Sequence, residues 1–234
     1  MMNFIRTMFC VMGVCAASTS VMAVESTDLS VVGAITPGGC IPTFTNNGEL
    51  DYGDIDPGLI SATGYSRLAS KQLNFSINCS APTKVAVKPQ SQRGQDSIAG
   101  ATKPSSGNFS AVPLGIAGGD LGLTYAAGLN FDESGNKIGG VAVNIRAGNS
   151  TVDGNRNIDM LEKDGDRPFQ VKPSTRTLRG STYAWAVKGD VEPMAFTNLS
   201  STVNIQAYLN TKNELDLSQE ITLDGLITFE LEYL

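Results

Sequence analysis

An all-β sandwich is the fold class this sequence predicts, and three observations predict it. Short apolar runs with a two-residue period recur along the chain, and 25 Gly and 10 Pro supply turns between them. No run holds a helical period long enough for a helix of ordinary length. The 234 residues suffice for one domain, or at most two small ones, around a sizeable core, which the pattern places from about residue 38 to 234.

Residues 1–23, MMNFIRTMFCVMGVCAASTSVMA, put Arg6 before an apolar run and end in Val21-Met22-Ala23, the pattern of a cleaved secretory signal with Val24 as first mature residue. A membrane helix needs about 20 apolar residues, and this run breaks at Ala-Ser-Thr-Ser. A lipoprotein signal would use Cys15, but Val14 is bulky where a small residue should precede the lipidated cysteine. Cys10 and Cys15 leave with the signal, so the mature chain keeps Cys40 and Cys79. Two cysteines in an exported chain predict one disulfide. Closing a loop of about 39 residues stabilises by roughly 4 kcal/mol on the chain-entropy model. A redox pair would want Cys-X-X-Cys spacing.

Segment 24–36 carries Leu29, Val31, Gly33 and Ile35 on one side of a two-residue period, and Pro37-Gly38-Gly39 separates it from Cys40. Such a strand packs on its own domain or reaches into another; periodicity does not choose. An Asn-Gly turn follows at 47–48. In QLNFSINC, Leu73, Phe75, Ile77 and Cys79 alternate, which places the disulfide under the sheet, and TKVAVKP alternates at Val85 and Val87 before Pro89. Residues 90–110 read as a long polar surface excursion. LGLTYAAGLNF, the turn DESGNK and KIGGVAVNIRAG predict a hairpin. The stretch 149–180 is weakly patterned, with at most one helical turn at Ile158 to Glu162. Alternation returns with Tyr183, Trp185 and Val187, then with Val203, Ile205, Ala207 and Leu209, and last with Ile227, Phe229, Leu231 and Tyr233, opposite Thr228, Glu230 and Glu232.

The chain contains no histidine, which removes the commonest general base, the hydrolase triads that use it and every His-containing metal site. Gly-x-Ser-x-Gly does not occur, the Ser-x-x-Lys spacing at Ser134 to Lys137 falls in the polar DESGNK turn, and nothing selects a working pair among the 23 carboxylates. The expectation is no enzyme and no cofactor. Residues 24–234 carry 16 basic and 23 acidic side chains, net −7, so a broad footprint for phosphate backbones is missing and no nucleic-acid partner is expected. Asp153, Asn155, Asn157, Asp159 and Asp164 follow EF-hand spacing, but Ile158 stands where that loop wants glycine and no helices flank it. A polar surface loop without metal is the expectation there. Tyr183 and Trp185 suit inward packing better than a sugar-binding surface.

Taken together, Gly33 to Ile35 before Cys40, the GELDYGDI stretch, LNFSINC ending at Cys79, KIGGVAVNI and the carboxy-terminal LDGLITFELEYL, with Tyr233 next to last, span nearly the whole mature chain. In this order they resemble subunits of chaperone-usher fimbriae (pili) of Gram-negative bacteria, and more closely the divergent fimbrial-like group long described as a domain of unknown function. The resemblance implies an immunoglobulin-like β-sandwich of pilin type over 37–234, incomplete because its last strand is missing, with an amino-terminal donor strand at 24–36. It implies a groove beside Ile227, Phe229, Leu231 and Tyr233, filled first by a periplasmic chaperone and then, at the outer-membrane usher, by the donor strand of the next fimbrial subunit. Both are β-strand addition. Leu29, Val31 and Ile35 become donor side chains, and Gly33 matches a tight point of the groove. Export through the periplasm to a surface fimbrium and a structural role in adhesion follow. The alternatives are a self-complemented periplasmic pilin-like protein and a minor or tip-proximal subunit binding a host glycan or protein.

Overall fold

The structure, a computed structural model, describes Ser30 and residues 39–112 and 124–234. The chain divides into two units, Met1–Thr36 and Pro37–Leu234. The expected signal at 1–23 and the expected donor residues Leu29, Val31, Gly33 and Ile35 lie outside the described residues.

The second unit is all-β, and among the described residues there is no α-helix. Its strands are β1 (Cys40–Phe44), β2 (Ser66–Arg67), β3 (Lys71–Thr83), β4 (Val85–Ser91), β5 (Lys103–Pro104), β6 (Ser110–Val112), β7 (Thr124–Gly128), β8 (Gly139–Val152), β9 (Ile158–Lys163), β10 (Gln170–Val171), β11 (Thr182–Val187), β12 (Phe196–Leu209) and β13 (Ile227–Tyr233). An eight-stranded sheet runs β1-β3-β12-β8-β7-β6-β5, with β2 paired to the end of β12. A five-stranded sheet runs β10-β9-β11-β4-β13.

The two-residue period explains how the sheets meet. Phe75 and Ile77 of β3, Val143 and Ile145 of β8 and Val203 of β12 point inward from the larger sheet. Val85 and Val87 of β4, Met160 of β9 and Tyr183 and Trp185 of β11 meet them from the smaller one in a single buried core. Two sheets sharing one core make a sandwich-like arrangement. Trp185 packs edge-on against Phe196, ring centroids 6.3 Å apart, while Val187, at the end of β11, is exposed. The glycine pair of KIGGVAVNI has a steric reason: a Cβ on Gly139 would fall 2.0 Å from the Tyr208 carbonyl oxygen, and one on Gly140 would fall 2.5 Å from the Tyr208 hydroxyl.

Two local expectations are corrected. The segment Ile158 to Glu162 is strand, not a helical turn, because both of its faces are covered: Ile158 and Met160 enter the core while Leu161 packs with Ala86, Ala184 and Ala186 on the outer side. The stretch 90–110 is not simply a surface excursion, since Ile98, Ala99 and Phe109 are fully buried. Ile98 and Ala99 cover the outer face of the larger sheet against Ala142 and Tyr208, whose hydroxyl donates to the Ala99 carbonyl at 2.6 Å. The strand β4 runs on through Pro89. Gln92 N–H donates to Leu226 and Lys84 C=O accepts from Leu234, so even-numbered residues of β4 face β13. The Pro89 nitrogen therefore faces β11, whose register with β4 is confined to Tyr183 opposite Val87, and no ladder bond is lost.

Candidate functional site

The end strands of the two sheets meet along one side of the sandwich. β1 pairs antiparallel with β3, Cys40 opposite Cys79 and Phe44 opposite Phe75. β13 pairs antiparallel with β4, Ile227 opposite Ser91 and Tyr233 opposite Val85. Because β3 passes into β4 across Lys84, β1 and β13 come to lie on the same side of the core. At one end they touch: Cys40 N–H donates to the Tyr233 hydroxyl at 3.0 Å, and the Phe44 ring stands edge-on to Phe229 with centroids 5.1 Å apart. Toward the Ile227 end the sheets part, leaving an apolar cleft of about 630 Å³. Its floor is the inward face of the larger sheet, Leu73 from β3, Val141 and Val143 from β8 and Val203, Ile205 and Ala207 from β12. Phe44, Leu50 and Tyr52 form one rim, and Leu223, Gly225, Ile227 and Phe229 the other.

Polar contacts fix these rims. The Tyr52 hydroxyl accepts from Ala207 N–H at 3.0 Å, and burial pushes its phenol above the ordinary range against that bond. The chain turns into this rim through Asn46, Asn47 and Gly48, all in the left-handed region (φ 52°, 52° and 80°), which Asn and Gly tolerate. On the other rim, Asp224 is gripped by Arg93 and by Asn130 Nδ2 at 3.0 Å. The Arg93 hydrogen bond holds the Asp224 carboxyl below the usual carboxylate range. This draws Gly225 so close to Leu129 that a Cβ would fall 2.9 Å from Leu129 Cδ2.

The structure joins Cys40 and Cys79 in a disulfide whose residues pack against the main core, so the expected pairing and its placement under the sheet are both present. Ile227, Phe229 and Leu231 are half-buried and face the core together, while Tyr233 is 52% exposed and its hydroxyl accepts from Cys40 N–H where the two strands touch. Periodicity identifies that face of β13. It does not identify Phe44, Leu129 or Leu223, which reach the cleft from separate elements. Tyr52 is the one titratable group lining the cleft among the described residues, which suits it to apolar contact and main-chain pairing rather than to proton transfer.

The remaining sheet ends differ. β5 presents Lys103 and Pro104, and β10 has only two residues, both devices that blunt an edge. β13 offers seven residues, roughly 23 Å at about 3.3 Å per residue, with β4 as its ladder partner among the described residues. A second polar cluster lies at the β9–β10 end of the smaller sheet. Glu162, 7% exposed, accepts from Arg176 Nη1 at 3.0 Å, Arg179 Nε at 2.9 Å and the Tyr183 hydroxyl at 3.2 Å. Lys172 Nζ beside it donates to Asn144 Oδ1 at 3.3 Å and to the Ile145, Pro173 and Arg176 carbonyls. In the EF-hand-like stretch, Asp153 spends its carboxylate on Thr197 N–H, Thr197 Oγ1 and Asn198 N–H. Among the described residues no group of three or more His, Cys, Asp or Glu is placed to hold a metal ion.

Comparisons with known proteins place the chain near sequences of two kinds. A family model described as "Protein of unknown function (DUF1120)" matches residues 29–142, from the expected donor strand into β8. Protein GltF of Escherichia coli (strain K12) is 28% identical over 245 residues, covering 93% of each chain. Uncharacterized protein YhcF of the same organism is 24% identical over 227 residues, covering 92% of this chain and 93% of its own. The similarity to both proteins thus extends over more than nine-tenths of this chain.

Proposed function

We propose that this chain is an exported, non-enzymatic subunit of a chaperone-usher fimbria, and that the β1–β13 cleft accepts a β-strand from another protein. In this reading the second unit is an immunoglobulin-like pilin sandwich that lacks its last strand. A periplasmic chaperone lends that strand, and at the outer-membrane usher residues 24–36 of the next subunit replace it, with Leu29, Val31, Gly33 and Ile35 turned into the cleft. The finished polymer supports adhesion from the cell surface.

The observation that carries the proposal is the contrast between sheet ends. Two end strands flank a cleft whose floor is the core face of the larger sheet, whereas β5 and β10 are blunted. An apolar face of this kind beside a seven-residue edge invites strand addition, in which main-chain bonds contribute affinity and alternate side chains in the cleft set register. Segment 24–36 has the matching alternation.

The test is truncation. Protein beginning at Pro37, and so lacking Leu29, Val31, Gly33 and Ile35, is expected to be insoluble or chaperone-bound when made alone, and to be rescued by a peptide of residues 24–36. A soluble, stable truncated monomer overturns the proposal. Rescue that leaves the untruncated chain monomeric at all concentrations assigns residues 24–36 to their own cleft and removes polymerisation.

A further inference from the structure

We propose that Tyr233 is a latch on this cleft: its hydroxyl occupies the β1 edge amide that an entering strand would use, and with the Phe44–Phe229 contact beside it ties the two end strands together until a strand displaces it. The inference rests on the strand-acceptor reading above.

The direction of the Cys40 amide follows from its neighbours. Gly39 C=O accepts from Ser80 N–H on the β3 side at 3.0 Å. In an extended strand the next N–H points the opposite way, so Cys40 N–H points away from β3. By the same alternation the β1 residues whose main-chain groups point away from β3 are Cys40, Pro42 and Phe44, and Pro42 has no N–H to give. The Cys40 amide is therefore one of two donors that β1 directs away from β3, and the Tyr233 hydroxyl accepts from it at 3.0 Å.

Tyr233 suits this part because packing does not hold it. It is 52% exposed, unlike Tyr183 and Tyr208, which are fully buried. Its hydroxyl crosses from the end of one sheet to the end of the other, Cys40 lying on β1 and Tyr233 on β13. Two pleat repeats along each strand, Phe44 and Phe229 meet at 5.1 Å, and both lie on Phe75, at 4.8 Å and 5.5 Å. The contacts close the Tyr233 end of the cleft and leave the Leu129 end open. A strand pairing along the full length of β13 must lift the hydroxyl from Cys40 and then supplies a carbonyl to that amide.

The test uses the full chain from Val24 and its Tyr233→Phe variant, which keeps the ring and removes the acceptor. Each is mixed with fluorescein-labelled peptide of residues 24–36, and uptake is followed by anisotropy while deuterium exchange is read at residues 40–44. The variant is expected to take up peptide about fivefold faster, the ratio given by one hydrogen bond of ordinary net strength, and to exchange its Cys40 amide faster before peptide is added. Equal uptake rates in the two chains overturn the latch and leave the strand-acceptor reading standing. Absence of uptake by both, even when they are refolded with the peptide present, overturns the strand-acceptor reading and the latch with it.

Discussion

Glu162 stays ionised on β9 although water hardly reaches it. Burial pushes its carboxyl upward, and the Arg179 hydrogen bond and charge, joined by those of Arg176, more than offset this and hold it below its ordinary value of 4.5. A carboxyl lowered in the folded state contributes stability that is present above its unfolded value and lost as pH falls through the folded one. Acid unfolding is therefore expected to steepen below about pH 4.5. Glu162→Gln should flatten that limb and cost about 3 kcal/mol at neutral pH, since it strands two guanidinium groups; urea titrations at several pH values measure both. An unchanged acid limb would mean that other carboxylates carry it. Lys172 acts in the alkaline range: burial lowers it to about 8 against the pull of Glu162. Between that value and 10.5 the unfolded chain binds more protons, so this group adds stability as pH rises. None of this was legible in the sequence, because Glu162, Lys172 and Arg179 come from separate elements and their order along the chain carries no mark of their meeting. Asp153 is the converse case, a spacing that suggests a metal loop and a carboxylate that instead caps Thr197 and Asn198.

Among the elements, β3 and β13 follow the two-residue period closely enough to be read directly, because one face of each is apolar and turned to the core and the other is polar. Leu73, Phe75 and Ile77 do so on β3, and Ile227, Phe229 and Leu231 on β13. β9 could not be read this way, since Leu161 on its outer face is as buried as Met160 on its inner one. β1 is a third kind of element: it is five residues long with three of them exposed, so its side chains contribute little to holding it. It stays on the sheet through its pairing with β3, through Phe44 and through the disulfide from Cys40 to Cys79. Replacing both cysteines with Ser should remove roughly 4 kcal/mol on the chain-entropy model. The loss should first show as faster amide exchange at residues 40–44, with β3 and β12 still protected. If protection falls equally in all three strands, β1 is part of the global folding unit and not a separately opening rim.

At the scale of the molecule, the cleft exists because the smaller sheet ends at β13 before it covers the floor laid by β8, β12 and β3. Alternation marks Val143, Val203 and Ile205 as inward-facing, but where a sheet ends is decided by which strands pair, and no local pattern records that. A donor and an acceptor on different surfaces of one subunit make a head-to-tail contact that does not close, which gives a filament. In the proposed assembly Gly33, outside the described residues, is the position where the donor strand has no side chain, and the closely packed Phe44, Phe75 and Phe229 rings leave little room along the cleft. Gly33→Leu should overpack such a point at a cost of about 1 to 3 kcal/mol, while Asp28→Ala, on the outward face of the same segment, should cost little. Since the donor acts on the next subunit, the Gly33→Leu chain should fold with its chaperone as the unaltered chain does and yet extend chains poorly. Exchange of each variant's 24–36 peptide into chaperone-bound subunit, followed by mass spectrometry, separates the two steps. Equal exchange by the unaltered and Gly33→Leu peptides would make the glycine a spacer and would remove the register, with Leu29, Val31 and Ile35 inward, on which donor recognition depends.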